Sequence, residues 1–272
     1  RQVRFFCPYE NDANLLALML MNNDIEVIKH PSPGPLVGHN RILLASSLAI
    51  SNPYHLDEIE AYSETIRVSR SEAWKPEFWV NKPDPVRVID RSKFQLAFYS
   101  HGSWIRRENA RSTAVFSKHE TEEALLKNIA AYLKDSGGVS FAIYPHPYEK
   151  RPEVLEKTMQ YYSSFFRDVD YELILDQSTV EGFTSVDLAL TPYSAILFER
   201  LFCGYKTLVY AENMIDFPLD SSSFSNIAPS NSNDLFKKIG IAIQQSHVEF
   251  FESNGISEYY QFGCDNSRRI PE

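Results

Sequence analysis

Cysteine is scarce and unpaired in this chain: Cys7, Cys203 and Cys264 lie far apart with no CxxC among them, which argues against a disulfide framework and against a structural zinc site. A reducing, cytoplasmic setting is therefore expected. No apolar run reaches about 18 residues and no signal-peptide pattern opens the chain, so no membrane span is expected. Work at the inner face of a membrane, on a lipid-linked acceptor, stays open. Positive charge is short as well, with 27 Lys and Arg against 36 Asp and Glu and a net charge of −9. The pairs Arg106-Arg107 and Arg268-Arg269 are too small for a basic patch, so nucleic acid is not an expected partner. There is no internal repeat, no DxD-like motif at a strand end, and no biased tract beyond Ser221-Ser222-Ser223 and Asn231-Ser232-Asn233.

What remains is a globular sequence, 272 residues long and 43% hydrophobic, enough for one large or two ordinary domains. From Phe94 onward, apolar runs of strand length alternate with helical patterns. The reading predicts strands over 94–99, 139–144, 171–175, 186–190 and 207–210, and helices over 120–134, 152–166, 194–202 and 233–245. The first of these helices would start at the capping-box-like Thr121-Glu122-Glu123 and stop at Ser136-Gly137-Gly138. Strands that are continuously apolar and alternate with helices indicate a parallel sheet covered on both faces. Upstream, 3–6, 12–21 and 25–28 form a plausible βαβ start, 42–49 reads as a further helix or strand, and 74–85, rich in Trp and Pro, reads as a linker. Two α/β domains are expected, 1–92 and 93–272, with a helix over 248–262 packing back across the hinge. The chain enters strand-like Val3 almost at once, and further N-terminal elements are expected before it.

In a doubly wound sheet, ligands sit at the carboxyl ends of the strands. Polar groups fall there in four places: Ser100-His101-Gly102-Ser103, His146 between Pro145 and Pro147, Asp176-Gln177-Ser178, and Thr191 to Ser194. Ser194 would open a helix whose unpaired N–H groups and positive dipole end favour an anion. His101 and Ser103 beside a glycine could grip a phosphate, and His146 could contact it or donate a proton to it. Glu199, on the helix opened by Ser194, could bind ribose hydroxyls. Each residue also has an ordinary reading: His146 as a loop cap, Ser194 as a plain helix N-cap, and Glu199 with Arg200 as a solvated surface pair.

The pair His146-Pro147, followed by Asp187-x-x-x-Thr191-x-Tyr193-Ser194-x-x-x-Phe198-Glu199 and the strand entry Gly204-x-Lys206-Thr207, resembles the second domain of GT-B glycosyltransferases of bacterial surface-polysaccharide pathways. The nearest groups are the sialyltransferases and Kdo transferases that use CMP-sugars and the teichoic-acid glycerophosphotransferases that use CDP-glycerol. The resemblance implies an α/β, GT-B-like fold with two Rossmann-like domains and a cleft between them, an acceptor-side first domain and a nucleotide-donor-binding second. It implies transfer of a sugar, preferably sialic acid or Kdo from a CMP-sugar, to a glycan or glycolipid acceptor, with no metal and no cofactor besides the donor. His146 would bind the donor phosphate and stabilise its departure, with Pro147, Thr191, Tyr193 and Ser194 shaping the grip and Glu199 near the ribose. The catalytic base would be an acid of the first domain: Asp57, Glu58 or Glu60, or else Glu10 or Asp12. Competing expectations are CDP-polyol phosphotransfer with His101 and His146 sharing acid and base work, a non-catalytic α/β module, and a nucleotide-sugar epimerase.

Overall fold

The computed structural model describes residues 1–6, 11–30, 43–50, 66–67, 70–73, 92–107, 113–179, 181–212 and 223–257. Asp57, Glu58, Glu60, Glu10, the 74–85 stretch and the tail after residue 257 lie outside the described residues. The chain divides into two compact units, Arg1–Asn81 and Lys82–Glu272.

In the first unit, β1 (Gln2–Phe6), α1 (Asn11–Met21) and β2 (Glu26–His30) form the expected βαβ start, with β1 and β2 parallel. The 42–49 segment resolves into two strands, β3 (Leu43–Leu44) and β4 (Ser47–Ile50). With β5 (Ile66–Arg67) and β6 (Arg70–Ala73), they make a four-stranded parallel sheet of order β1-β2-β4-β6 and a parallel β3-β5 pair. Ala17 of α1 packs on Val27 and Ala45. Lys29 is fully buried and donates to Asn14 Oδ1 at 2.5 Å, which ties β2 to α1; burial lowers its pKa to about 8.

The second unit holds a five-stranded parallel sheet of order β11-β10-β7-β8-β9. Its strands are β7 (Phe94–Tyr99), β8 (Phe141–Tyr144), β9 (Glu172–Leu173), β10 (Val186–Pro192) and β11 (Thr207–Tyr210). The chain steps outward from β7 through β8 to β9, then returns to the other side of β7 for β10 and β11. The topological switch therefore lies between β7 and β10, where doubly wound sheets open a crevice. Leu96, Ala97, Leu188, Ala189 and Ile143 are completely buried, as a sheet covered on both faces requires. The edge strand β9 is shorter than the predicted 171–175 because the chain leaves the sheet after Leu173, although Ile174 still donates its N–H to Ile143 O at 2.9 Å.

The helices are α2 (Ser103–Arg107), α3 (Thr113–Ser136), α4 (Leu155–Phe165), α5 (Ala195–Phe202), α6 (Ser232–Gln244) and α7 (His247–Ser253). Helix α3 corrects the predicted start at Thr121: it begins at Thr113, and Thr121 and Glu122 lie inside it, fully buried. The acid that looked like a cap is satisfied by a loop across the sheet rather than by its own helix end. Leu125, Leu126, Ile129 and Leu133 form the buried stripe, and Gly137 and Gly138, at φ +57° and +72°, end the helix as predicted. Among the described residues no helix is long and apolar enough to cross a membrane.

Arg200 and the strand-entry motif have structural roles. Arg200 is fully buried rather than solvated beside Glu199, and its guanidinium lies 5.1 to 5.3 Å from the ring centres of Tyr99, Phe183 and Tyr205. Asp187 pairs with Lys206 at 2.9 Å and with His247 at 3.4 Å. Lys206 also donates to Ala242 O and Gln245 O at 2.6 and 2.7 Å, and His247 Nδ1 meets Gly204 O at 2.8 Å. Half of the motif that carried the resemblance thus clips the amino ends of β10 and β11 to α6 and α7.

Tyr99 and Tyr144, paired across β7 and β8, stack with ring centres 4.6 Å apart. Gly182 seats against this stack, since a Cβ there would fall onto the Tyr144 ring. Gly182→Ala is expected to cost roughly 1–3 kcal/mol by overpacking a site that cannot yield. A urea midpoint equal to the wild type's would show instead that the Tyr144 ring moves freely.

Candidate functional site

At the switch point, the loops after β7, β8 and β10 surround a cavity of about 420 Å³. A larger depression of about 620 Å³ lies at the opposite, amino end of the sheet, among Phe94, Lys134, Gly138 and Glu172. The smaller cavity carries the chemistry. Its wall includes His101 and Arg106 from the first loop and α2, Pro145, His146 and Pro147 from the second, and Ser194, Ala195, Ile196 and Glu199 from α5 and its cap. Tyr99 and Tyr144 also line it.

His146 has extended backbone (φ −61°, ψ 149°) and caps a one-turn 3₁₀ helix, Pro147–Lys150, with proline at the first helical position. Its Nδ1 accepts the Tyr148 N–H at 3.2 Å, so the loop-cap reading holds. The other ring nitrogen faces outward: Nε2 stands 3.0 Å from Arg106 Nη2. A neutral imidazole offers one lone pair, yet both ring nitrogens here face N–H donors. Whichever tautomer forms, one contact sets donor against donor, and protonation would add a second positive charge. Burial, and then the Arg106 charge, accordingly lower the His146 pKa to about 4. At neutral pH the ring is uncharged and Arg106 supplies the positive field. An anion accepting from both groups would relieve the conflict.

Arg106 gets this close because Gly102, at φ +67°, brings the first loop against His146; a Cβ on Gly102 would stand 3.0 Å from His146 Cβ and Cγ. Ser194 is the N-cap of α5 but makes no side-chain cap bond. Its Oγ instead lies 3.1 Å from Thr191 Oγ1. The opening residues of α5, Ala195 and Ile196, lie on the wall, where a helix's first N–H groups lack intrahelical partners. One turn further, burial raises the Glu199 pKa to about 7, leaving its carboxyl part-protonated near neutrality and suited to hydroxyl partners.

Of the residues singled out from sequence, His101, His146, Pro147, Ser194 and Glu199 meet on this wall. Ser103 is fully buried behind it, beside Glu122. Thr191 is fully buried too and donates to Tyr99 O and Pro192 O, bracing the turn from beneath. The Tyr193 ring packs edge-on against Phe198 at 6.1 Å. These three are not among the lining residues. Arg106 was missed: it had been weighed only as half of a basic pair, although its place one helical turn after Gly102 was readable. Among the described residues no group of three or more His, Cys, Asp or Glu could hold a metal ion.

No protein-family model matches the chain, and no curated protein matches it. Solved structures do. At 12% identity, the chain is similar to Staphylococcus aureus MnaA in a co-structure with UDP, with a TM-score of 0.55 over 97% of this chain and 73% of that one. It is equally similar to a UDP-GlcNAc 2-epimerase from Methanocaldococcus jannaschii in complex with UDP-GlcNAc and UDP, at 12% identity and TM-score 0.55 over 96% and 74%. The Neisseria meningitidis UDP-GlcNAc 2-epimerase bound to UDP-GlcNAc follows at 12% identity and 0.54, over 96% and 72%. At this identity the likeness shows the fold: α/β and GT-B-like, with a parallel Rossmann-like sheet in each unit.

Proposed function

We propose that the chain is a nucleotide-sugar enzyme, and that the cavity at the carboxyl ends of β7, β8 and β10 receives the donor's phosphate. The observation that carries this reading is the meeting of Arg106 and His146 at 3.0 Å, with two donors facing across a gap that an anion would bridge. The opening amides of α5 and the Ser194 hydroxyl would complete the grip, and Glu199 would meet sugar or ribose hydroxyls. In catalysis, preorganised donors stabilise the charge that develops on the departing phosphate. Arg106 and the helix end would supply that field, and His146 Nε2 would hold or deliver a proton at the same oxygen.

Glycosyl transfer from a CMP-linked sugar is the preferred reaction, by the resemblance of His146-Pro147 and Tyr193-Ser194 to the CMP-sugar enzymes. The first unit would then bind the acceptor, with a base such as Asp57 or Glu60. The second reading is a UDP-sugar enzyme, an epimerase included, favoured by the UDP and UDP-GlcNAc named for the similar structures.

A thermal-shift series with CMP, CDP, UDP, GDP and ADP separates them. A ligand that binds the native state alone stabilises it by about 2.7 kcal/mol at a hundred times its Kd. A shift with CMP that His146→Ala abolishes is the expected result. A UDP shift would keep the site and replace the donor, a CDP shift would promote polyol phosphotransfer, and silence with all five would remove the nucleotide reading.

A further inference from the structure

Behind the cavity lie two buried acids that the proposed reaction does not use, and each holds one of its histidines by the backbone. Glu122, in mid-α3, accepts the His101 N–H at 2.8 Å, with the backbone N–H and hydroxyl of Ser103 also turned toward it. Glu149, in the 3₁₀ turn after His146, accepts the His146 N–H at 2.5 Å, the Trp104 indole N–H at 2.5 Å and the Tyr162 hydroxyl at 2.9 Å, and the Ser100 hydroxyl also hydrogen-bonds to it. Both acids are completely buried. The loop that leads to Arg106 and the loop that carries His146 therefore hang from one acidic pair.

Two carboxyls in the same dry space cannot both ionise without a large electrostatic cost, so such a pair retains a proton. Glu149 has the richer set of donors and is the better seat for the negative charge. Burial and the Glu149 charge push Glu122 up to about 8, which makes it the seat of the proton.

We propose that Glu122 and Glu149 are positioning residues for the anion site: the proton they share keeps the two loops at the spacing that sets Arg106 against His146, and its loss drives the loops apart. The proposal rests on reading the cavity as a nucleotide-phosphate site. The groups packed around the pair are His101 and Arg106 on the first loop and α2, His146 on the second, and Tyr161 and Tyr162 on α4. His119 and Glu123 flank the pair on α3, and Glu199 lies across the cavity. Burial keeps both tyrosines protonated far above neutrality, and His146 titrates near 4. Glu199, near 7, is the neighbour whose titration must be separated from that of the pair. Because the Glu122 pKa is raised on folding, its contribution is fully present below the ordinary carboxyl value and is lost as pH rises through about 8.

The test uses the full chain and follows the His101 and His146 amide signals by NMR from about pH 6 to about pH 10, together with CMP and UDP affinity over the same range. The expected result is a step near pH 8 in the wild type and in Glu199→Gln, and none in Glu122→Gln, whose glutamine oxygen still accepts the His101 N–H. At about pH 9, Glu122→Gln should bind the nucleotide roughly tenfold more tightly than the wild type. The same step in all three proteins, or none in the wild type, overturns the proposal. Should Glu122→Gln fail to fold, the wild-type titration alone decides. If the amides step as expected while no nucleotide binds at any pH, the positioning role stands and the nucleotide reading falls.

Discussion

Arg200→Ala is expected to lower the unfolding free energy of the second unit by about 3–5 kcal/mol, the scale of removing a large buried side chain with its hydrogen bonds. The guanidinium donates to Thr207 Oγ1 and the Tyr99 hydroxyl, both at 3.2 Å, and to Val186 O and Lys206 O at 3.3 and 3.4 Å. None of these partners is a carboxylate, so the charge is held by hydroxyls, carbonyls and three aromatic faces, an arrangement that suits a desolvated guanidinium. Truncation would leave those acceptors unpaired in a dry space and open a void under Tyr99, whose stack with Tyr144 floors the cavity. Arg200→Lys should recover less than half of the loss, because an ammonium cannot reach partners arranged for a planar fork. Urea midpoints together with hydrogen exchange of β7 and β10 amides measure both variants. A loss under about 1 kcal/mol for Arg200→Ala would mean that the desolvation of this charge already cancels its contacts.

Arg106→Ala, by contrast, should leave folding nearly unchanged and weaken nucleotide binding roughly tenfold to a hundredfold, since hydrogen bonds to charged groups carry about 1.5–3 kcal/mol. With Arg106 gone, the second cause of the depressed His146 pKa disappears, so the imidazole should titrate at higher pH than in the wild type. The pH dependence has a defined sign. Glu199 is neutral below about 7 and ionised above it, so anion affinity should fall as pH rises through that value, and Glu199→Gln should flatten this part of the profile. Toward acid, His146 gains charge near 4 and affinity should rise again. Calorimetric titration with CMP or UDP at several pH values tests all three statements. An Arg106→Ala protein that binds as tightly as the wild type would show that the helix end alone holds the phosphate.

Much of the second unit was legible in the chain because its signals are local. Five apolar runs, each the length of a strand and separated by helical patterns, sufficed for a parallel sheet. Gly137-Gly138 stopped α3 where predicted because two residues with positive φ end a helix whatever packs around it. The start of α3 was misread because Thr121 and Glu122 resemble a cap locally, while their partners, Glu212 O and the His101 amide, are distant in sequence. The site was half legible for the same reason. His146, Ser194 and Glu199 stand at strand ends or on the helix that follows one, a rule readable from order alone. Arg106 acquires its role only because Gly102 lets two loops touch, and the resembling motif divides between the cavity and the clip of Asp187, Lys206 and His247.

The sequence by itself determined the class of fold and the strand ends at which chemistry would collect, because hydrophobic periodicity and strand order are properties of neighbours along the chain. Tertiary structure alone decided which side chains share that space: that Arg106 opposes His146, that Glu122 and Glu149 share a proton behind them, and that Arg200 is a buried pillar rather than a surface charge. Those are matters of distance and desolvation between residues tens of positions apart, and a carboxyl or guanidinium takes its charge state and role from what surrounds it after folding.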